Sequence, residues 1–118
     1  MALNRAKLAD IAEIASSAGA LITNAASVKT WIRGITLHNH TAGAIDVTLY
    51  NVPDSGGSVG TAATGNQFFK KSLAADETHY IDLPGPGIVL SDTNDTIQGL
   101  ASSATSVTAM FHGDNEGP

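Results

Sequence analysis

The hydrophobic period of the chain changes near residue 20. Before that point Leu8, Ile11, Ala12 and Ala15 recur at i, i+3, i+4 and i+7, which gathers them on one helical face. Alanine is frequent, no proline interrupts and Gly19 is a plausible stop, so the pattern predicts a short α-helix over Leu3–Ser17. Leu3 and Ile14 widen the apolar stripe, while Arg5, Asp10, Glu13 and Ser17 supply a wet side. So short a helix is marginal alone and must dock its stripe on something. Leu8, Ile11 and Ala15 are therefore the candidate protein-interface residues, buried on a neighbouring subunit or, in the plainer alternative, on the same domain.

Beyond residue 20 the period becomes two. Trp31, Ile35 and Leu37 share one face of 31–39, and Ile45, Val47 and Leu49 alternate with Asp46, Thr48 and Tyr50. The link His40-Thr41-Ala42-Gly43 is short enough for a hairpin. Further strands are predicted at 20–23, 67–73, 78–83, 88–90, 96–101 and 106–112. Turn residues separate them at Ala75-Asp76, Pro84-Gly85-Pro86-Gly87, Ser91 to Asp95 and Ser102-Ser103-Ala104. About eight short, evenly spaced strands predict a mainly β fold, an antiparallel β-sandwich of jelly-roll type. The predicted inward set is Trp31, Ile35, Leu37, Ile45, Val47, Leu49, Ile81, Val107 and Phe111. The organisation read from these patterns is a helical arm at 1–19, a sandwich at 20–113 and a tail at 114–118. On this reading, deleting residues 2–17 leaves a folded sandwich.

Charge alters the picture more than size does. Charged residues make up 14% of the 118, against about 25% in average globular proteins. The net charge of −5 opposes sequence-independent nucleic-acid binding. It is uneven, +2 over residues 1–33 and −7 over 34–118. So few charges suit a surface partly buried against other proteins. The absence of cysteine excludes disulfides and thiolate chemistry. The longest uncharged run, Ile14 to Val28, is too polar to cross a membrane. Asp10 and Glu13 interrupt any secretory h-region, so Met1 is read as the start of a protein made without export.

No pattern specifies a catalytic, cofactor or metal site. His38 and His40 share a strand face at metal-ligand spacing, but no third ligand is fixed, and a solvated or interfacial pair is the plainer reading. Asp76-Glu77 and Asp92 with Asp95 could bind Ca²⁺ or exchange protons, yet they occupy turns, where Asp bonds its own backbone. The thirteen residues Asp54 to Asn66 are rich in Gly, Ser and Thr but lack the Gly-Lys-Ser/Thr ending of a phosphate loop, and they read as a flexible connection. Lys70-Lys71 is too small a basic cluster for nucleic acid, and Phe68, Phe69 and Trp31 read as core or interface aromatics.

The runs Trp31-Ile32-Arg33-Gly34-Ile35-Thr36-Leu37-His38-Asn39 and Val47-Thr48-Leu49-Tyr50-Asn51-Val52-Pro53 resemble the paired first strands of small tailed-bacteriophage virion proteins. Leu73 to Thr78, Gly87 to Leu90 and Asn94 to Ser102 follow the same pattern in the same order, so the resemblance spans roughly 28–113. The helical arm is not part of that pattern. The resemblance implies a structural, non-enzymatic protein of the virion. The favoured expectation is a capsid decoration protein that oligomerises, most simply as a trimer or a ring component matching capsid symmetry, and contacts itself and the major capsid protein. Charge and hydropathy leave neither nucleic acid nor membrane as an expected partner. The alternative is a tail-fibre, spike or neck-associated module that binds a host surface or bridges virion parts.

Overall fold

The computed structural model describes residues 3–5 and 8–117, the first three by backbone alone. Every alternating stretch becomes a strand. In chain order these are β1 (Leu3–Arg5), β2 (Ala12–Glu13), β3 (Gly19–Thr23), β4 (Lys29–Asn39), β5 (Ile45–Val52), β6 (Gln67–Leu73), β7 (Thr78–Asp82), β8 (Ile88–Leu90), β9 (Thr96–Ala101) and β10 (Val107–Glu116). All pairings are antiparallel. The first sheet runs β1–β10–β4–β7, with β2 also on β10 and β8 also on β4, and the second runs β3–β9–β5–β6. Ile32, Ile35, Leu37, Leu90, Val107 and Phe111 of the first sheet join Ile22, Ile45, Val47, Leu49, Leu73 and Ile97 of the second in one buried cluster.

The expected helix over Leu3–Ser17 is not formed. Leu3–Arg5 pairs with Asp114–Glu116, and Ala12–Glu13 pairs with Thr108–Ala109, so the segment follows one edge of the first sheet. It then changes sheets. The Ile14 amide donates to the Val107 carbonyl at 2.8 Å, and the Ala15 carbonyl accepts from the Ala101 amide of β9 at 2.9 Å. This crossing closes one flank and drives Ile14, fully buried, into the core. Tertiary pairing along a free edge outweighs the helix propensity of an alanine-rich segment too short to hold itself. The same pairing carries β10 through Glu116, into residues expected to form a tail.

Trp31 is the one misplaced member of the predicted core. The register of β4 against β10 slips between His112 and Gly113, leaving Arg33 as an extra residue. Such a bulge reverses the faces on either side of it. Ile35 and Leu37 point inward above it, but below it Ile32 is buried and Trp31 is turned outward, half-buried. Gly113 permits the slip, because a Cβ there would collide with the Trp31 carbonyl oxygen. Arg33 secures it by donating from Nε to Asp114 Oδ2 at 2.7 Å and from a guanidinium nitrogen to the Gly85 carbonyl.

Ile14→Ala is expected to cost about 3 kcal/mol in chemical denaturation, as a core cavity does. Ile11→Ala, whose side chain is 58% exposed, should cost no more than about 0.5 kcal/mol. Similar losses at both positions would restore the helical reading. Deletion of residues 2–17 removes Ile14 with the edge strands and is expected to abolish folding.

Candidate interaction surfaces

The flank built by residues 8–23 carries the three predicted interface residues, but not on one stripe. Leu8 packs half-buried against the chain's own core, whereas Ile11 and Ala15 are exposed. The structure therefore brings Ile11 and Ala15 to one side of the molecule and turns Leu8 inward. Beyond them β3 forms the outer edge of the second sheet, bulged at Leu21, whose Cδ1 would lie 2.7 Å from a Cβ on Gly99. His40 Nε2 lies 3.0 Å from Glu13 Oε2 and ties the β4–β5 turn to this flank.

The outer face of the first sheet is the second surface. Cross-strand register places Tyr80, Thr36 and Met110 in one row, and Val89, Trp31 and Asp114 in another. Tyr80, Met110 and Val89 are among the most exposed large apolar side chains described. Tyr80 lies across Gly34, where a Cβ would strike its hydroxyl, and its ring centroid is 6.1 Å from that of His112. Two polar pairs lie on this face: the Thr36 hydroxyl with His112 Nε2 and His38 Nδ1 with the Thr78 hydroxyl, each at 2.8 Å. His38 and His40 thus have separate partners, and among the described residues no group of three His, Asp or Glu could hold a metal ion.

The third surface is the end of the molecule where residues 53–66 and 91–95 meet. The small-residue loop lies fastened to the second sheet. Asp95, buried, accepts from the amides of Ser91 and Asp92 on Oδ2 and from Asp54 on Oδ1, at 3.1, 2.9 and 2.8 Å. The Asn94 side chain donates to the Gly57 carbonyl and the Gln98 side chain to that of Gly60. An open depression of about 220 Å³ remains, lined by Val52, Pro53, Asp54, Ser55, Gly60, Thr61 and Asn66. No aromatic side chain lines it.

One member of each acidic pair bonds the turn around it. Asp95 spends its carboxylate on backbone amides, and Glu77 Oε1 accepts from the Ala74 amide at 2.8 Å while Oε2 lies 3.7 Å from Lys71 Nζ. Phe69 stacks obliquely on His79 at 5.6 Å between the edges of the two sheets, and Phe68 is exposed. Sequence reasoning missed Asn39 and Asn24, both buried. Asn39 donates to the carbonyls of Gly43, Leu73 and Ala74 and accepts from the Thr41 amide and hydroxyl. Asn24 donates to Val28 and Asp92 carbonyls and accepts from the Thr30 hydroxyl. An Asn at the entrance of a short turn is the local signal that could have found them.

No helix among the described residues is long and apolar enough to cross a membrane. Comparison with protein-family models, with curated proteins and with solved structures finds no match.

Asp95→Ala is expected to cost about 2 kcal/mol, because three amides lose their acceptor together. It should also speed hydrogen exchange at Ser91, Asp92 and Asp54. Asp92→Ala, at an exposed side chain, should change stability by less than about 0.5 kcal/mol. Unchanged exchange in the Asp95 variant would show that the carboxylate does not clamp the loops.

Proposed function

We propose that the chain is a non-enzymatic structural protein of a tailed-bacteriophage virion, a capsid decoration protein that oligomerises on the head. The strand order carries this reading. With β1 and β2 counted as one edge position and β7 and β8 as another, the sheets read β2–β10–β4–β7 and β3–β9–β5–β6. The chain passes from one sheet to the other at β2–β3, β3–β4, β4–β5, β6–β7, β8–β9 and β9–β10. That winding supports a sandwich of jelly-roll type, an architecture that recurs in viral capsid domains. The residues of β4, β5 and β9 are also those that carry the resemblance to phage virion proteins.

The surfaces support permanent contacts rather than transient ones. Permanent interfaces are apolar and depleted in charge at their centres. Ile11 and Ala15 on the flank and Tyr80, Met110 and Val89 on the outer face offer such material on a chain with 14% charge. Attachment on this reading uses a strand-built flank in place of the helical arm.

The second reading, a tail-fibre, spike or neck-associated binding module, is favoured by the loop end. There Asp54, Ser55, Thr61 and Asn66 surround a depression suited to polar ligands. Its lack of an aromatic platform places it second.

Density maps of whole particles made with and without the protein test the address. Additional density on the head lattice is expected. Density confined to the tail or fibre would move the protein to the second reading, and a particle without it would overturn both.

A further inference from the structure

Edge strands leave a row of backbone donors and acceptors open, and proteins discourage further pairing there with charge, proline, bulges or shortness. Most edges of this molecule are guarded in that way. β1 contains Arg5, β2 contains Glu13, β6 contains Lys70 and Lys71, and β7 contains Asp82. β8 is only three residues long and follows Pro84 and Pro86. β3 differs. It reads Gly19-Ala20-Leu21-Ile22-Thr23, within the uncharged run from Ile14 to Val28, and has β9 on one side and no described strand on the other. The bulge at Leu21 is its one guard, without charge or proline beside it, and it directs that side chain toward Gly99 and the core. Ala20 and Thr23, both exposed, flank the bulge.

We infer that β3 is an assembly edge whose partner is β3 of a second copy of this chain, antiparallel across a twofold axis. Open backbone groups in a row are satisfied by a strand, which fixes the kind of partner. The absence of charge favours a second copy. Around a twofold axis a segment meets itself, so a charged edge would set like charges against one another, as Lys70 and Lys71 would on β6. β3 has no charge to oppose and none by which to select a foreign strand. Ile11, the most exposed of the large apolar side chains described, lies on the same flank and adds apolar contact beside the ladder. Pairing β3 with β3 uses both open edges at once, so assembly stops at a dimer instead of growing into a filament. The inference rests on the self-association in the functional reading, gives it a surface, and replaces the trimer suggested by capsid symmetry with a dimer. It does not depend on where the protein sits on a particle.

Sedimentation of the full chain is expected to show a dimer. Ala20→Lys with Thr23→Lys, at exposed positions where the fold tolerates them, should weaken it at least about tenfold by opposing like charges. Ser72→Lys on β6 should leave it intact, and circular dichroism should confirm that all variants are folded. The chain has no cysteine, so Ala20→Cys with Thr23→Cys should yield a disulfide-linked dimer on mild oxidation, and Ser72→Cys should not. A monomer at assembly concentrations, a trimer, or a dimer indifferent to both lysines overturns the inference. The last two results leave self-association standing, and the virion address is judged separately from particle density.

Discussion

The register of β4 is the constraint on which the rest of the structure depends. It is the longest strand, and β10, β7 and β8 all pair with it. A slip of one residue would exchange the buried and exposed sets along its whole length. The bulge at Arg33 performs that exchange once, at a fixed place, so Ile32 enters the core and Trp31 leaves it. Three features hold the position: the clearance at Gly113, the Arg33–Asp114 bond, and Gly87, with φ +74°, where a Cβ would collide with the Ile32 carbonyl oxygen. The half-exposed guanidinium makes the ion pair a weak source of net stability. Its role is to select one register among alternatives of similar apolar content.

Polar side chains perform the same selection at the two ends of the sheets. Asn39 holds the β4–β5 turn against the β6–β7 turn, while Asn24 and Asp95 join the chain after β3 to the turn before β9 and to residue 54. Each is buried with donors and acceptors engaged, and no buried side-chain nitrogen or oxygen among the described residues lacks a partner. An unpaired polar group in such a place would be costly, so a shifted turn is penalised at both ends at once. The small-residue segment after β5 therefore behaves as part of the sheet's covering and not as a free loop.

Much of the chain beyond residue 20 was legible because alternation there is a property of neighbouring residues. Ile45, Val47 and Leu49 reveal their face within a single strand, and the structure buries all three. Trp31 was not legible in that way, since the parity of β4 changes at a bulge that Gly113, far away in sequence, permits. The first seventeen residues failed for a related reason. Ala12 and Ala15 satisfy a helical spacing as readily as any other, and the edge of β10 that captures Ala12–Glu13 is assembled from the opposite end of the chain. The interface residues inherited that error, with Leu8 turned inward while Ile11 and Ala15 stayed outside.

The scarcity of charge gains meaning from where the charges stand. Arg33 with Asp114 secures the bulge, Lys71 with Glu77 bridges the edge of β6 to the turn before β7, and Glu13 meets His40 beside β2. These are positions where a register or an edge has to be fixed, not an even coat over the faces. Solubility of an isolated domain would favour the coat. On the proposed reading, ion pairs placed at the bulge and the edges, with Tyr80, Met110 and Val89 left on an open face and β3 without charge, suit a protein whose remaining surface is completed by neighbours. Composition and topology, on that reading, bear on function through the same residues: charges restrict which edges can pair, and an uncharged edge is where assembly would proceed.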